Sequence, residues 1–188
     1  MSATRLDQYS KGNYTTGAGP LKGILWYVIN AWVFRSSWFP FNQFKTNLLR
    51  LFGARVGMGV VIKPRVNIKF PWRLRIGDYC WIGEGVWIDN LAAVELGSHV
   101  CLSQDALILT GNHDYKKASF DLITEAIRLE DGVWIGAKAL VIPGTKARSH
   151  SVLTAGSVSP KEMLSNHIYT GNPAIPVRER LISEVQTH

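Results

Sequence analysis

The apolar positions of this chain recur every six residues. From Ile76 to Val158 an aliphatic residue opens nearly every unit: Ile76, Ile82, Ile88, Leu96, Leu102, Ile108, Leu129, Ile135, Val141 and Leu153. The fifth position is small or β-branched, as in Cys80, Val86, Ala106, Val133, Ala139 and Ser157. A helix buries residues at a period near 3.6 and a plain strand at 2. Six fits neither. It fits a short strand followed by a corner, repeated, which predicts an all-β parallel β-helix. Gly59, Gly85, Gly111, Gly132, Gly144 and Gly156 fall at the fourth position, where the chain must bend and a residue without Cβ takes positive φ freely. Arg65, Tyr79, Leu91, His99, Asp105, Lys138 and His150 share that register and are expected to bend the same way. A slip of two residues between Val94 and Leu96 predicts a bulge or a longer corner.

Three regions follow. Residues 1–55 form an N-terminal arm and helical cap. Residues 56–158 carry the repeat, interrupted by an inserted loop at 110–128, and residues 159–188 close the last coil. The first 20 residues are polar and read as an extended arm. Residues 21–34, LKGILWYVINAWVF, are apolar nearly all round. They are too short to cross a bilayer, which takes about 20 residues. A buried helix, a helix lying in a membrane interface and a cap on a partner subunit all fit. Pro40 breaks this run, and Phe41, Phe44, Leu48 and Phe52 then predict an amphipathic helix ending at Gly53 and covering the first coil. Pro160, Pro173 and Pro176 argue against regular sheet after Val158. The stretch from Ile175 to Val185 reads as a short strand and helix.

At 188 residues the chain is expected to be one domain. Its two cysteines, Cys80 inward and Cys101 outward, show no zinc spacing and no disulfide framework, which favours a reducing cytoplasm. The charge is lopsided. Residues 1–75 hold twelve Lys and Arg against Asp7 alone, whereas the remainder has more acids than bases. An anionic partner for the N-terminal part is implied: a membrane surface or a phosphorylated ligand. No nucleic-acid-binding motif is present.

The candidate chemistry lies at the interruption. His113 ends the unit ILTGNH and begins the inserted loop. A neutral imidazole there suits a general base acting on a hydroxyl, and loops projecting from a repeat scaffold often carry function. His99 and His150 sit at corners, His167 in the C-terminal turn and His188 at the end, all with structural or incidental roles. The outward Trp81, Trp87 and Trp134 call for a partner surface or ligand. Trp134 flanks the candidate site.

The repeat, TGNHDY, FDLIT, VWIGAKALVIPG and TGNPA together resemble the hexapeptide-repeat sugar O-acetyltransferases, nearest to those of colanic acid biosynthesis. The resemblance implies a left-handed β-helix and a homotrimer with sites between subunits. It implies acetyl-CoA as co-substrate, no metal, and a saccharide acceptor, lipid-linked if the membrane reading holds. His113 matches the family's catalytic base and Ala137 its backbone oxyanion donor. Gly136, Ala137, Ala155, Gly156 and Lys161 match acetyl-CoA contacts, with Arg178 near the 3′-phosphate. The acceptor-side asparagine of the family has no clean match. Glu84 falls in its register and Asn90 one unit on, so Asn90 is expected to position the acceptor, with Glu84 second. Asp114 is a candidate to orient His113, although adjacent side chains on extended chain seldom face each other. N-acylation of an amino sugar or an antibiotic, and a non-catalytic β-helix, are the competing readings.

Overall fold

A computed structural model of the chain describes residues 3–183. The repeat winds into a parallel β-solenoid of about six turns. The turns contribute short strands to three sheets, and the third sheet has strands from four of them. The first sheet stacks β1 (Arg55–Val56), β4 (Leu74–Ile76), β7 (Val94–Leu96), β12 (Ile127–Leu129), β15 (Lys146–Ala147) and β17 (Glu162–Met163). The second stacks β2 (Val61–Ile62), β5 (Trp81–Ile82), β8 (Cys101–Leu102), β13 (Trp134–Ile135), β16 (Val152–Leu153) and β18 (His167–Gly171). The third stacks β3 (Asn67–Ile68), β6 (Trp87–Asp89), β9 (Leu107–Leu109) and β14 (Leu140–Val141).

The register explains the period. Ile62, Ile82, Leu102, Ile135 and Leu153 pair in column along the second sheet. Ile68, Ile88, Ile108 and Val141 do so along the third. None of these is more than 2% exposed. Every coil thus supplies one aliphatic side chain per sheet to a continuous core. Cys80 lies in that core, and burial pushes its thiol up to about 11.

Five of the six fourth-position glycines have positive φ, as do Arg65, Tyr79, His99, Asp105, Lys138 and His150. Gly111 and Leu91 depart from the expectation. Gly111 begins an extended strand, and a Cβ on it would stand 2.6 Å from Leu91 Cδ1. Its backbone does not bend there, and the flexible end of the Leu91 side chain packs over it. The extra residues of that coil lie in the widened corner between β6 and β7, so the slip precedes Val94. Strand β7 itself stays in register with β4 and β12.

The N-terminal segments close the free edge of the first coil. Helix α1 (Pro20–Ile29) continues as a π-turn over Asn30–Phe34, and α2 spans Asn42–Leu51. Trp26 Nε1 donates to Ile68 O at 2.9 Å, and Asn30 Oδ1 accepts from Ile68 N. Asn42 donates to Val60 O at 2.7 Å and accepts from Ile62 N at 2.6 Å. Lys45 Nζ, fully buried, reaches Lys63 O at 3.2 Å. The expected apolar face of α2 holds at Leu48 and Phe52, which pack on the core, and is corrected at its start. Asn42, Lys45, Thr46 and Leu49 turn inward, while Phe41 and Phe44 are exposed. An unpaired sheet edge presents N–H and C=O groups, and polar side chains satisfy them where phenylalanines cannot.

At the other end β19 (Ala174–Glu179) folds back antiparallel on β18. Sheet does continue past Val158, and Pro176 sits inside β19, where an outer edge strand tolerates it. No helix follows among the described residues. Val185, the end of the expected helix, and His188 lie outside them.

Candidate functional site

The inserted loop leaves the corner that joins the third sheet to the first. It is a two-stranded arm, β10 (Gly111–His113) paired antiparallel with β11 (Leu122–Thr124). Thr110 fixes its base. The buried Thr110 Oγ1 donates to Asp89 O at 2.9 Å and accepts from Ala92 N at 3.0 Å, and Glu125 N donates to Thr110 O.

His113 is half-buried on this arm. Phe120 stacks on it with ring centroids 4.4 Å apart and 7° between planes. His113 Nδ1 lies 3.0 Å from Phe120 O. A carbonyl oxygen only accepts, so the contact places the neutral ring's proton on Nδ1 and leaves the Nε2 lone pair free. Phe120 has φ of +52°, a left-handed turn that brings both its ring and its carbonyl back to the imidazole. Asp114 does not orient His113. Its carboxylate accepts from Lys116 N and lies 3.9 Å from Lys117 Nζ. Asp121, just before the returning strand, is held below the usual carboxylate range by the Ser119 hydroxyl, with help from Lys117.

The N-terminal arm packs against this site, and its residues carry no periodic signal. Arg5 N donates to Ala118 O at 2.7 Å and Leu122 N to Ser10 O at 3.1 Å. These bonds set the Tyr9 ring 5.9 Å from that of His113. A polar arm without pattern has its partner about a hundred residues away in sequence, and only the fold brings the two together.

A second cluster occupies a different corner, between the second and third sheets. Gly136, Ala137, Ala155 and Gly156 meet there, and Gly156 N donates to Ala137 O at 2.9 Å. A Cβ on Gly136 would lie 2.4 Å from Ala155 N, so this glycine is what lets two coils approach. Ala137 N–H takes no hydrogen-bond partner among the described residues. Trp134 stands beside this corner on the outer face of β13, its Nε1 donating to Ser103 Oγ at 2.9 Å.

Other expected residues lie elsewhere. Asn90 is fully buried and both its amide atoms hold Phe70, from N at 2.9 Å and to O at 2.7 Å. Its carboxamide is consumed by the scaffold, so it does not face an acceptor in the protomer. Glu84 is exposed and ion-paired with Arg65 at 3.0 Å. Lys161 falls at the corner of the inserted arm rather than with Gly136, bound to Glu125 at 2.7 Å and to Pro143 O at 2.7 Å. Arg178 lies exposed on β19. His99 stacks on Tyr79, and no three His, Cys, Asp or Glu side chains converge among the described residues in a way that would hold a metal ion.

Comparison with known proteins narrows the chemistry. No protein-family model matches the chain. It is 35% identical over 170 residues to WcaF of Escherichia coli (strain K12), named as a candidate colanic acid biosynthesis acetyltransferase; the match covers 89% of this chain and 92% of WcaF. It is 26% identical to the galactoside O-acetyltransferase of Lactococcus lactis subsp. lactis (strain IL1403), over 75% of this chain and 70% of that protein. Among solved structures it resembles the hexapeptide-repeat acetyltransferase VCA0836 of Vibrio cholerae O1 biovar eltor complexed with acetyl coenzyme A. The TM-score is 0.75 at 24% identity, over 94% of this chain and 98% of that one. The chain shares the left-handed β-helix fold of these structures.

Proposed function

Since the chain belongs to the hexapeptide-repeat acetyltransferases, we propose that it transfers an acetyl group from acetyl-CoA to a hydroxyl of a saccharide. The observation that carries the reading is the His113 imidazole, with Nδ1 held by the Phe120 carbonyl and Nε2 left free beside an open arm. Nε2 takes the proton of the acceptor hydroxyl as its oxygen attacks the thioester carbonyl carbon. The tetrahedral oxyanion is stabilised by Ala137 N–H, a donor that needs no rearrangement; such a donor contributes about 3 kcal/mol of barrier lowering. Collapse breaks the carbon–sulfur bond, and the proton on Nε2 passes to the CoA sulfur. Charges and atoms balance without a metal or a covalent enzyme intermediate. Gly136, Ala155 and Gly156 leave an open edge along which the pantetheine arm lies, with Arg178 toward the 3′-phosphate.

The two halves of this chemistry stand on different corners of one protomer. One side of the prism separates them, roughly 15–20 Å at ~3.3 Å per residue. A homotrimer reconciles this by bringing the His113 corner of one subunit to the Ala137 corner of the next. The outer faces support it. The first sheet shows a charged column of Arg75, Glu95, Arg128, Lys146 and Glu162. The second and third show Trp81, Cys101 and Trp134, and Trp87, Leu107 and Leu140. Two apolar sides and one charged side are what each subunit of a closed three-membered ring needs.

His113→Ala is expected to keep the oligomer and acetyl-CoA binding and to lower turnover at least about a hundredfold. Turnover near that of the parent removes His113 from the mechanism. A panel of hydroxyl and amino acceptors with labelled acetyl-CoA tests the acceptor class, and acylation of amines without hydroxyls overturns O-transfer.

A further inference from the structure

Helix α1 buries one side and leaves the other apolar side in solvent. Trp26 and Asn30 turn onto the free edge of β3. On the opposite side Leu21, Ile24, Leu25, Val28 and Trp32 are 79%, 65%, 51%, 47% and 70% exposed. One helical turn separates Leu21 from Leu25, Leu25 from Val28 and Val28 from Trp32, so these side chains form a single stripe. A helix apolar all round belongs in a core or against lipid, and the core accounts for one side only.

We propose that this stripe is a docking face for an anionic lipid bilayer, with α1 lying in the plane of the interface. The stripe cannot be one end of a span: no helix among the described residues is long and apolar enough to cross a membrane. The charge nearby is cationic. Lys22 and Arg35 flank the stripe, both exposed and neither ion-paired among the described residues. Asp7 is the single acid among residues 1–75 and is held by Arg5 at 2.6 Å. Apolar residues with an aromatic at the headgroup level and flanking Lys and Arg are the chemistry that binds negatively charged lipid surfaces. A second copy of the chain is the weaker occupant. The apolar columns that suit protomer contact lie on the sides of the prism, whereas α1 caps its end and faces away from the coils. If the subunits are arranged as proposed above, with parallel axes, three stripes point to one plane and bind it together.

Vesicle sedimentation tests this with the full-length protein. Vesicles of phosphatidylcholine containing phosphatidylglycerol are expected to pull down the protein, and pure phosphatidylcholine vesicles to bind it at least about tenfold less. Leu25→Ser/Val28→Ser/Trp32→Ser is expected to abolish binding, and Lys22→Glu/Arg35→Glu to weaken it. Both variants should keep the sedimentation coefficient and acetyltransferase rate of the parent on a water-soluble acceptor. Parental vesicle binding by the serine variant overturns the proposal. So does a fall in its oligomeric state, which would assign the stripe to a contact between copies. The rate on soluble acceptor reports separately on the proposed catalytic reading.

Discussion

At the scale of single residues, the glycines separate two physical demands that look alike in sequence. Gly136 is needed for close approach, because its Cβ would meet the Ala155 backbone at 2.4 Å. Gly156 is needed for conformation, with φ of +70° and nothing within 4 Å of a built Cβ. Gly136→Ala is therefore expected to destabilise by about 1–3 kcal/mol and to disturb the Ala137 corner. Gly156→Ala should cost about 1–2 kcal/mol through backbone strain and leave neighbouring coils in place. Urea unfolding of the two variants checks these costs, and acetyl-CoA titration should show weaker binding for both, because a Cβ on Gly156 meets no protein atom and stands in the edge proposed for the pantetheine arm. The six-residue register made both glycines legible, at positions two and four. It also predicted a bend at Gly111, which the structure corrects, and placed Asn90 toward an acceptor, where its carboxamide instead holds backbone within the protomer. The corner before Val94 is widened, so side chains near it meet partners that a regular repeat does not provide: Leu91 for Gly111, and the Phe70 backbone for Asn90.

At the scale of elements, the end of the solenoid shows what period cannot tell. A stripe of Phe41, Phe44, Leu48 and Phe52 reads as a core face, yet only Leu48 and Phe52 pack on the core, because the pattern of a helix does not say whether its partner is a packed surface or a hydrogen-bonding edge. Here it is an edge, and Asn42 makes both bonds of a missing strand at that point. Asn42→Ala leaves a buried donor and acceptor unmet and is expected to cost about 2–3 kcal/mol, with aggregation through the opened edge, read by thermal unfolding and light scattering. Lys45 adds a dependence on pH. Burial lowers its pKa below the usual 10.5, so the folded chain gives up that proton before the unfolded chain does. Between the lowered folded value and 10.5 the unfolded state binds more protons, and stability rises with pH. Relative to Lys45→Met, which has no such proton, the parent should gain stability as the pH rises through that window. A constant difference across the window would show that the ammonium is solvated.

At the scale of the whole molecule, the proposed reaction depends on which protomer supplies each half of the site, and this can be tested by mixing inactive chains. His113→Ala removes the base from one corner. Ala137→Pro removes the N–H from the other, and the repeat already accepts proline there. Pro64 precedes Arg65 at φ of +58°, and Pro143 precedes Gly144 at φ of +79°, in the same place within their own corners. Each variant alone is expected to be inactive and folded. When the two chains are refolded together in equal amounts, some interfaces join an intact His113 from one chain to an intact Ala137 from the other. With random assembly that holds for about a quarter of the interfaces, the product of two even chances. The mixture is therefore expected to regain about a quarter of the parental rate. If one protomer holds both groups of its own site, every site in the mixture lacks one of them and the rate stays at the level of the separate variants. The repeat and its interruption could be read from the sequence because each is local. The proposed pairing of the two corners could not, because residues 113 and 137 lie close along the chain yet at different corners of the prism, and a symmetry that would join them is not encoded as a pattern in the chain.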